Sequence, residues 1–254
     1  MHLCLVTCSY DTDFEPIKEQ LSNKLLQLRR NFEHFTLLVM NDAADQQSFA
    51  EAIREIDAPE VSLHNVDITQ KSKWGRKGLA LREGLRIGLR LNADYYAYIN
   101  LNLKVDAKFI QTGIEAMQNN KWETAFGSRD VRDGGQRLGV GEFGQLKSFV
   151  FGHLARKRLP ILGDFHDTNA PLKIFSIHSA QLIVDLAQSE GPFFDCEWIL
   201  ILLENKIKTG TFPIVWIQRS GSRPPWELVK QSLEELRRIQ LRWRKGLYKQ
   251  SSWP

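Results

Sequence analysis

Cysteine is scarce in this chain: Cys4, Cys8 and Cys196 are the only three in 254 residues. Three cannot build a disulfide scaffold, and their spacing is wrong for a zinc site. Cys4 and Cys8 stand four residues apart in one extended run, which defeats a bridge between them. A reducing, cytosolic compartment is the expectation. No uncharged apolar run reaches about 18 residues, which argues against a transmembrane helix. The opening MHLCLVTCSY lacks the basic start and small-residue cleavage site of a signal peptide and reads as a first strand. Charge of one sign is missing as well. Lys and Arg number 34 against 30 Asp and Glu, a formal +4 that permits an anionic substrate without arguing for nucleic acid. No linker, composition break or internal repeat divides the chain.

What is present is alternation. At 43% hydrophobic and 25% charged, the chain can bury a substantial core. HLCLVTC (2–8) predicts a strand, and residues 14–30 predict a helix from apolar residues at three- and four-residue intervals. HFTLLVM (34–40) predicts the next strand, 46–56 a helix, and EVSLHNV (60–66) a third strand. After the basic loop TQKSKWGRKG come an amphipathic helix, LALREGLRIGLRL, the strand YYAYINL and the helix DAKFIQTGIEAMQ. Strands alternating with helices predict an α/β fold with a mostly parallel sheet flanked by helices. In such sheets ligands sit beyond the carboxyl ends of the strands. The polar strand exits therefore group as candidates: Ser9 with Asp11, Asn41 with Asp42, Asn100 with Asn102.

The second half is less regular. ETAFGSRD predicts a strand ending at Gly127, Ser128 and Arg129, and the glycine-rich RDGGQRLGVGEFGQ reads as a mobile loop. A helix is predicted around 176–188, GPFFDCEWILILLENK as a turn feeding a buried helix, and TFPIVWI as a late strand. Two prolines then open an amphipathic C-terminal helix whose basic residues accumulate towards its end. The expected division is a domain over 1–225 and this helix, 226–254, packed on it or extending it. Docking on the core, attachment to an anionic membrane surface and a dimer contact are three readings of that helix.

Several side chains could carry chemistry. Asp42 could accept hydrogen bonds from a base or ribose, or could cap the following helix. Lys77 could meet a diphosphate, with Gly78 allowing close backbone approach, although glycine spacing and a Ser or Thr after the lysine are both wrong for a P-loop. Arg129 stands at a strand end. Asp164, His166 and Asp167 have the types but not the spacing of a metal cluster and read more readily as a hydrogen-bond network. Asp195 and Glu197 open a hydrophobic helix, where an acid can cap the helix or serve a substrate as base or orienter.

Taken in order, these stretches resemble the family 2 glycosyltransferases with the GT-A fold, nearest to the subgroup of dolichyl-phosphate glucosyltransferase and related polyprenyl-phosphate sugar transferases. The likeness rests on LVTCSYD, LVMNDAADQ, RKGLALREGL, FGSRD, DTNAPLKIF, FFDCEWIL and FPIVWIQRSGSRPPWELV. It implies a nucleotide-sugar donor, most simply a UDP-sugar, with Ser9, Asp11 and Asp42 on the nucleoside side and Lys77 and Gly78 near phosphate. Arg129 would shape the donor-sugar or acceptor pocket, and Asp167, Asp195 and Glu197 would lie on the catalytic side. The acceptor would be a polyprenyl phosphate or a small-molecule hydroxyl.

The family's metal-binding Asp-x-Asp falls on Asn100, Leu101 and Asn102. Asparagine supplies oxygen without charge, so Mg2+ or Mn2+ is expected to be disfavoured and no metal is assigned. Leaving-group charge would then fall to Lys104, Lys77, Arg129 or Arg223. The resemblance therefore implies a transferase of weak or absent metal dependence. The alternatives are an inactive relative that binds a nucleotide sugar, lipid or protein, or nucleotidyl transfer on the same fold. Location is expected to be cytoplasmic or peripheral to a membrane, with a homodimer allowed and nucleic acid not expected.

Overall fold

The computed structural model describes residues 1–9, 14–43, 45–66, 77–100, 104–139, 152–163, 165–191, 193–217 and 226–250, with side chains except at 9, 14–17 and 226–231. Three parallel neighbours begin the sheet: β1 (His2–Ser9), β2 (His34–Asn41) and β3 (Val61–Asn65). The others are β4 (Tyr95–Ile99), β5 (Thr124–Ser128), β7 (Leu172–Phe175) and β8 (Thr209–Pro213), in the order β3-β2-β1-β4-β7-β5-β8. A second sheet pairs β6 (Gln136–Leu138) with β9 (Val215–Ile217) in parallel.

The inner strands are apolar at successive residues because both faces of the sheet are covered. Alternation sorts their side chains. Leu3, Leu5, Leu37, Val39, Ala97 and Ile99 enter one core, and Cys4, Val6, Leu38, Met40, Tyr96 and Tyr98 enter the other. The first core is closed by α1 (Phe14–Asn31), α2 (Gln46–Arg54) and α4 (Lys108–Asn120). In α1, Leu21, Leu25 and Leu28 recur at the spacing of one helical face, and all three are buried. The second core is closed by α3 (Lys77–Gly88), α5 (Ile177–Leu186), α6 (Phe194–Glu204) and α7 (Trp226–Arg244). α3 lies directly on β1, since a Cβ at Gly84 would stand 2.2 Å from Val6 Cγ1. Leu236 and Ile239 of α7 are buried, and Trp243 Nε1 donates to Glu204 Oε1 at 2.6 Å.

The expectation of a single GT-A-like sheet is overturned. β7 runs antiparallel between β4 and β5, and β6 with β9 forms a sheet of its own. TFPIVWI, expected as one strand, divides at Ile214: its amide donates to Ser128 O and its carbonyl accepts from Gln136 N, so the chain leaves one sheet and enters the other. Strand direction and sheet membership depend on how the intervening chain returns, which apolar composition does not encode. The glycine-rich stretch contributes β6, and its continuation from residue 140 lies outside the described residues. Among the described residues no helix is long and apolar enough to cross a membrane.

One buried cation gives a stability test. Lys24 of α1 is fully buried, its Nζ donating to Val105 O at 2.6 Å. Burial pulls its pKa down to about 8, against a smaller upward pull from Asp106. An unfolded lysine titrates near about 10.4, so between these values the unfolded chain holds a proton the folded chain has shed. That contribution to stability is lost as pH falls through about 8 and grows as pH rises from there. In urea unfolding, the stability of wild type minus that of Lys24→Met is therefore expected to rise between these two pH values. A flat difference would contradict this.

Candidate active site

Beyond the carboxyl ends of β1, β2 and β4 the sheet presents a group of cations set among aromatic rings. Lys77 is the first residue of α3, and its Nζ donates to Asn100 Oδ1 at 3.2 Å. The same amide oxygen accepts from the Tyr98 hydroxyl. Lys77 Nζ also lies 4.9 Å from the Tyr98 ring centroid and 5.9 Å from that of Phe194, close enough for cation–π attraction. Cys8, at the end of β1, feels both neighbours. Its thiol is pushed up to about 11, mainly by burial, with Lys77 opposing and Asp42 adding to the rise. Asp42, Cys8, Lys77 and Asn100 thus share one corner.

Below this corner stands Lys173, in register between Tyr98 of β4 and Phe126 of β5. It has no exposed side-chain surface, and Asp195 Oδ1 lies 2.5 Å from its Nζ. Lys173 also donates to Ala170 O and sits 4.8 Å from the Tyr98 centroid. Burial pushes the Lys173 pKa down and the Asp195 pKa up, in each case against the attraction of the partner; Lys77 and Arg129 also favour the charged aspartate.

A second cationic wall flanks the first. Arg129 grips Asp167 through Nε to Oδ2 and Nη2 to Oδ1, both at 2.7 Å, and its own amide donates to Oδ2 at 2.9 Å. Burial would raise the Asp167 pKa, but Arg129 overrides it and holds the carboxyl below its ordinary value. Arg137 on β6 approaches the same carboxylate at 3.9 Å. Trp216, the cross-strand neighbour of Arg137, lies 5.5 Å from the Arg129 guanidinium and 5.6 Å from Lys104 Nζ. Lys104 is lowered by burial and by Lys77, and its carbonyl accepts from Ile217 N at 2.9 Å, which ties the small sheet to this edge.

Of the residues picked from sequence, Asp42, Lys77, Asn100, Lys104, Arg129, Asp167 and Asp195 converge here. Gly78 is adjacent but serves packing: a Cβ would meet Ser189 O at 2.5 Å, and its amide donates to Glu190 O. Glu197 turns away. Its Oε2 accepts from Gln188 N and Ser189 N at 2.9 and 2.7 Å, and its Oε1 from the Tyr248 hydroxyl at 2.6 Å. With Glu235, which accepts from Ser189 Oγ, Gly191 N and Phe193 N, it holds the turn on which α3 begins. His166 pairs with Asp133 at 2.7 Å, so it and Asp167 serve different partners; Asp164 lies outside the described residues. So do Asp11, Asn102 and Arg223, as does the side chain of Ser9. Sequence reasoning missed Lys173, Arg137, Tyr98 and Trp216. A lysine inside the apolar run Leu172–Phe175 was the one available signal, since a buried lysine needs a partner.

Solved structures share this fold. Glucosyl-3-phosphoglycerate synthase from Mycobacterium tuberculosis, in complex with Mn2+, UDP and glucosyl-3-phosphoglycerate, aligns with a TM-score of 0.64 at 12% identity over 98% of this chain and 81% of that one. The same enzyme with Mn2+, UDP-glucose and phosphoglyceric acid gives 0.64 at 13%, over 100% and 86%. A mannosyltransferase from Pyrobaculum calidifontis with GDP-Man and Mn2+ gives 0.58 at 10%, over 99% and 66%. No protein-family model matches the sequence, and no characterised protein matches it by sequence. At these identities the likeness establishes the fold.

Two expectations are corrected by these matches. The resemblance to family 2 and the dolichyl-phosphate subgroup gives way to likeness with glucosyl-3-phosphoglycerate synthase structures. The expectation that Mg2+ or Mn2+ is disfavoured also falls, because structures of this fold hold Mn2+ or Mg2+ together with UDP. That expectation rests on Asn100 and Asn102 alone. Of the two, Asn100 is described, and its amide oxygen is engaged by Lys77 and Tyr98. Among the described residues no group of three His, Cys, Asp or Glu could hold a metal ion.

The Arg129–Asp167 pair is buried and bidentate, so removing one partner strands the other charge. Asp167→Ala is expected to cost about 3–5 kcal/mol in urea unfolding, and Arg129→Met with Asp167→Leu to recover part of that loss. A cost below about 1 kcal/mol for the single change, the range of an exposed pair, would show that the pair is solvated.

Proposed function

We propose that this chain transfers a sugar from a UDP-sugar to a small acceptor bearing a negative charge. The observation that carries the reading is the excess of cations at the strand ends. Lys77, Lys104, Lys173, Arg129 and Arg137 stand against Asp42, Asp167 and Asp195, in a fold whose solved members include one enzyme holding UDP-glucose beside phosphoglyceric acid or glycerol 3-phosphate. Lys77, at the amino end of α3, meets the diphosphate and stabilises charge on the departing UDP. Asp42 belongs to the nucleoside side of the corner. Arg137, beside Trp216, offers its guanidinium to a phosphate or carboxylate on the acceptor, while Arg129, whose fork is taken by Asp167, adds positive charge behind it. A hydroxyl acceptor needs a base, and Asp195 is the carboxylate at this corner whose pKa burial raises. The assays include Mn2+ because structures of this fold contain it.

A second reading has its own observation. Asp167 is saturated by Arg129 and Asp195 is held by Lys173, which suits a protein that binds a nucleotide sugar without turning it over.

Thermal shift with UDP-, GDP- and dTDP-sugars, with Mn2+ and with EDTA, followed by transfer to 3-phosphoglycerate or glycerol 3-phosphate, separates the two. The expected result is stabilisation by a UDP-sugar and formation of a glycosylated acid. Lys77→Ala should weaken donor binding roughly tenfold or more, the value of a charge-assisted hydrogen bond. Arg137→Ala should raise the acceptor KM with little change in donor affinity. Tight donor binding without transfer or donor hydrolysis selects the binder, and no stabilisation by any nucleotide sugar overturns both readings.

A further inference from the structure

The outer face of α7 has no role in the site. Its inner face is fixed: Leu236 and Ile239 are buried in the core, Glu235 holds the 188–193 turn, and Gln240 Nε2 donates to Arg158 O at 2.8 Å. The opposite arc is exposed and mixed. Leu233 is 43% exposed, Leu241 47%, and Leu247, just past the helix, 50%. At about 100° per residue, Leu233 and Leu241 stand about 80° apart on the helix, with Arg237 and Arg244 between them. Arg238 and Lys245 flank this arc and are exposed too. Between residues 232 and 250 the acids are Glu234, which is exposed, and Glu235, which is committed to the turn. Four cations and two leucines therefore share one helical face with a single outward carboxylate.

We propose that this face docks on an anionic lipid surface. Charge complementarity names the occupant. Leucines that enter the headgroup boundary, with arginines beside them reaching lipid phosphates, make a helix that lies in the plane of a membrane. The long Arg stems can cover apolar surface while their heads stay at the phosphates. The inner-face contacts need not break, so docking leaves the fold intact. It also places the membrane against the helix that supports the 188–193 turn and, through it, the start of α3. The proposal stands independently of the acceptor.

Co-sedimentation of the full chain with phosphatidylcholine vesicles, with and without phosphatidylglycerol, tests it. Binding is expected only to the anionic vesicles and should weaken as salt screens the charges. Leu233→Glu with Leu241→Glu and, separately, Arg237→Glu with Arg244→Glu should each weaken partition roughly tenfold or more. Unchanged thermal unfolding would confirm that these surface variants fold. Equal binding to neutral vesicles, no binding, or full binding by both variants overturns the proposal. Binding to heparin but not to vesicles would assign the face to an anionic polymer. A concentration-dependent dimer that the leucine variant abolishes, without vesicle binding, would assign it to a second copy.

Discussion

Lys173 lies at mid-sheet with no solvent around it, and much of the candidate site follows from that. An ammonium so placed is costly unless it is neutral or paired and hydrogen-bonded. Asp195 supplies the pair at 2.5 Å and Ala170 O a hydrogen bond. The pair in turn sets the position of α6, because Asp195 belongs to its first turn. Phe194, beside it, then packs edge-on against Tyr98 and Trp198. Tyr98 and Phe194 are the rings over which Lys77 rests. Moving the buried pair would move the aromatic floor of the cationic corner.

The turn between α5 and α6 is the second constraint. Its amides converge on two carboxylates, the buried Glu197 from below and the half-buried Glu235 from α7, and Tyr248 closes the network by donating to Glu197. Burial raises both carboxyl pKa values against these hydrogen bonds. α3 begins on this turn, with Gly78 too close to Ser189 O to allow any side chain. Lys77 is thus aimed by residues more than a hundred positions downstream. Rigid support of this kind lets a catalytic or binding lysine keep one position.

Much of the fold was legible because burial leaves a periodic trace. The apolar run in 34–40 located a strand, and Leu21, Leu25 and Leu28 located the inner face of a helix. Polar residues closing apolar runs mark the strand ends, which singles out Asp42 and Asn100, while Lys77 stands out in the basic loop TQKSKWGRKG. The antiparallel insertion of β7 and the small β6–β9 sheet left no such trace. Hydrogen bonding between strands is a backbone matter, and the same apolar tetrapeptide serves either direction. Glu197 shows the complementary difficulty. Two residues after Asp195 on the same helix, it faces the turn and Tyr248 while Asp195 faces Lys173.

By itself the sequence determined the alternation of strands and helices through α4, the two-sided burial of the sheet and the presence of basic residues near strand ends. These properties depend on residues close in the chain, through periodicity and chain reversal. Only the tertiary structure decided which charges meet. The Arg129–Asp167 fork, the Lys173–Asp195 pair and the Glu235-bound turn join residues 38, 22 and up to 46 positions apart. A carboxylate's identity does not say whether it will hold an arginine, a buried lysine or a row of amides. Position in the folded chain does, since a charge taken from water must find its partner among whatever groups packing brings within reach.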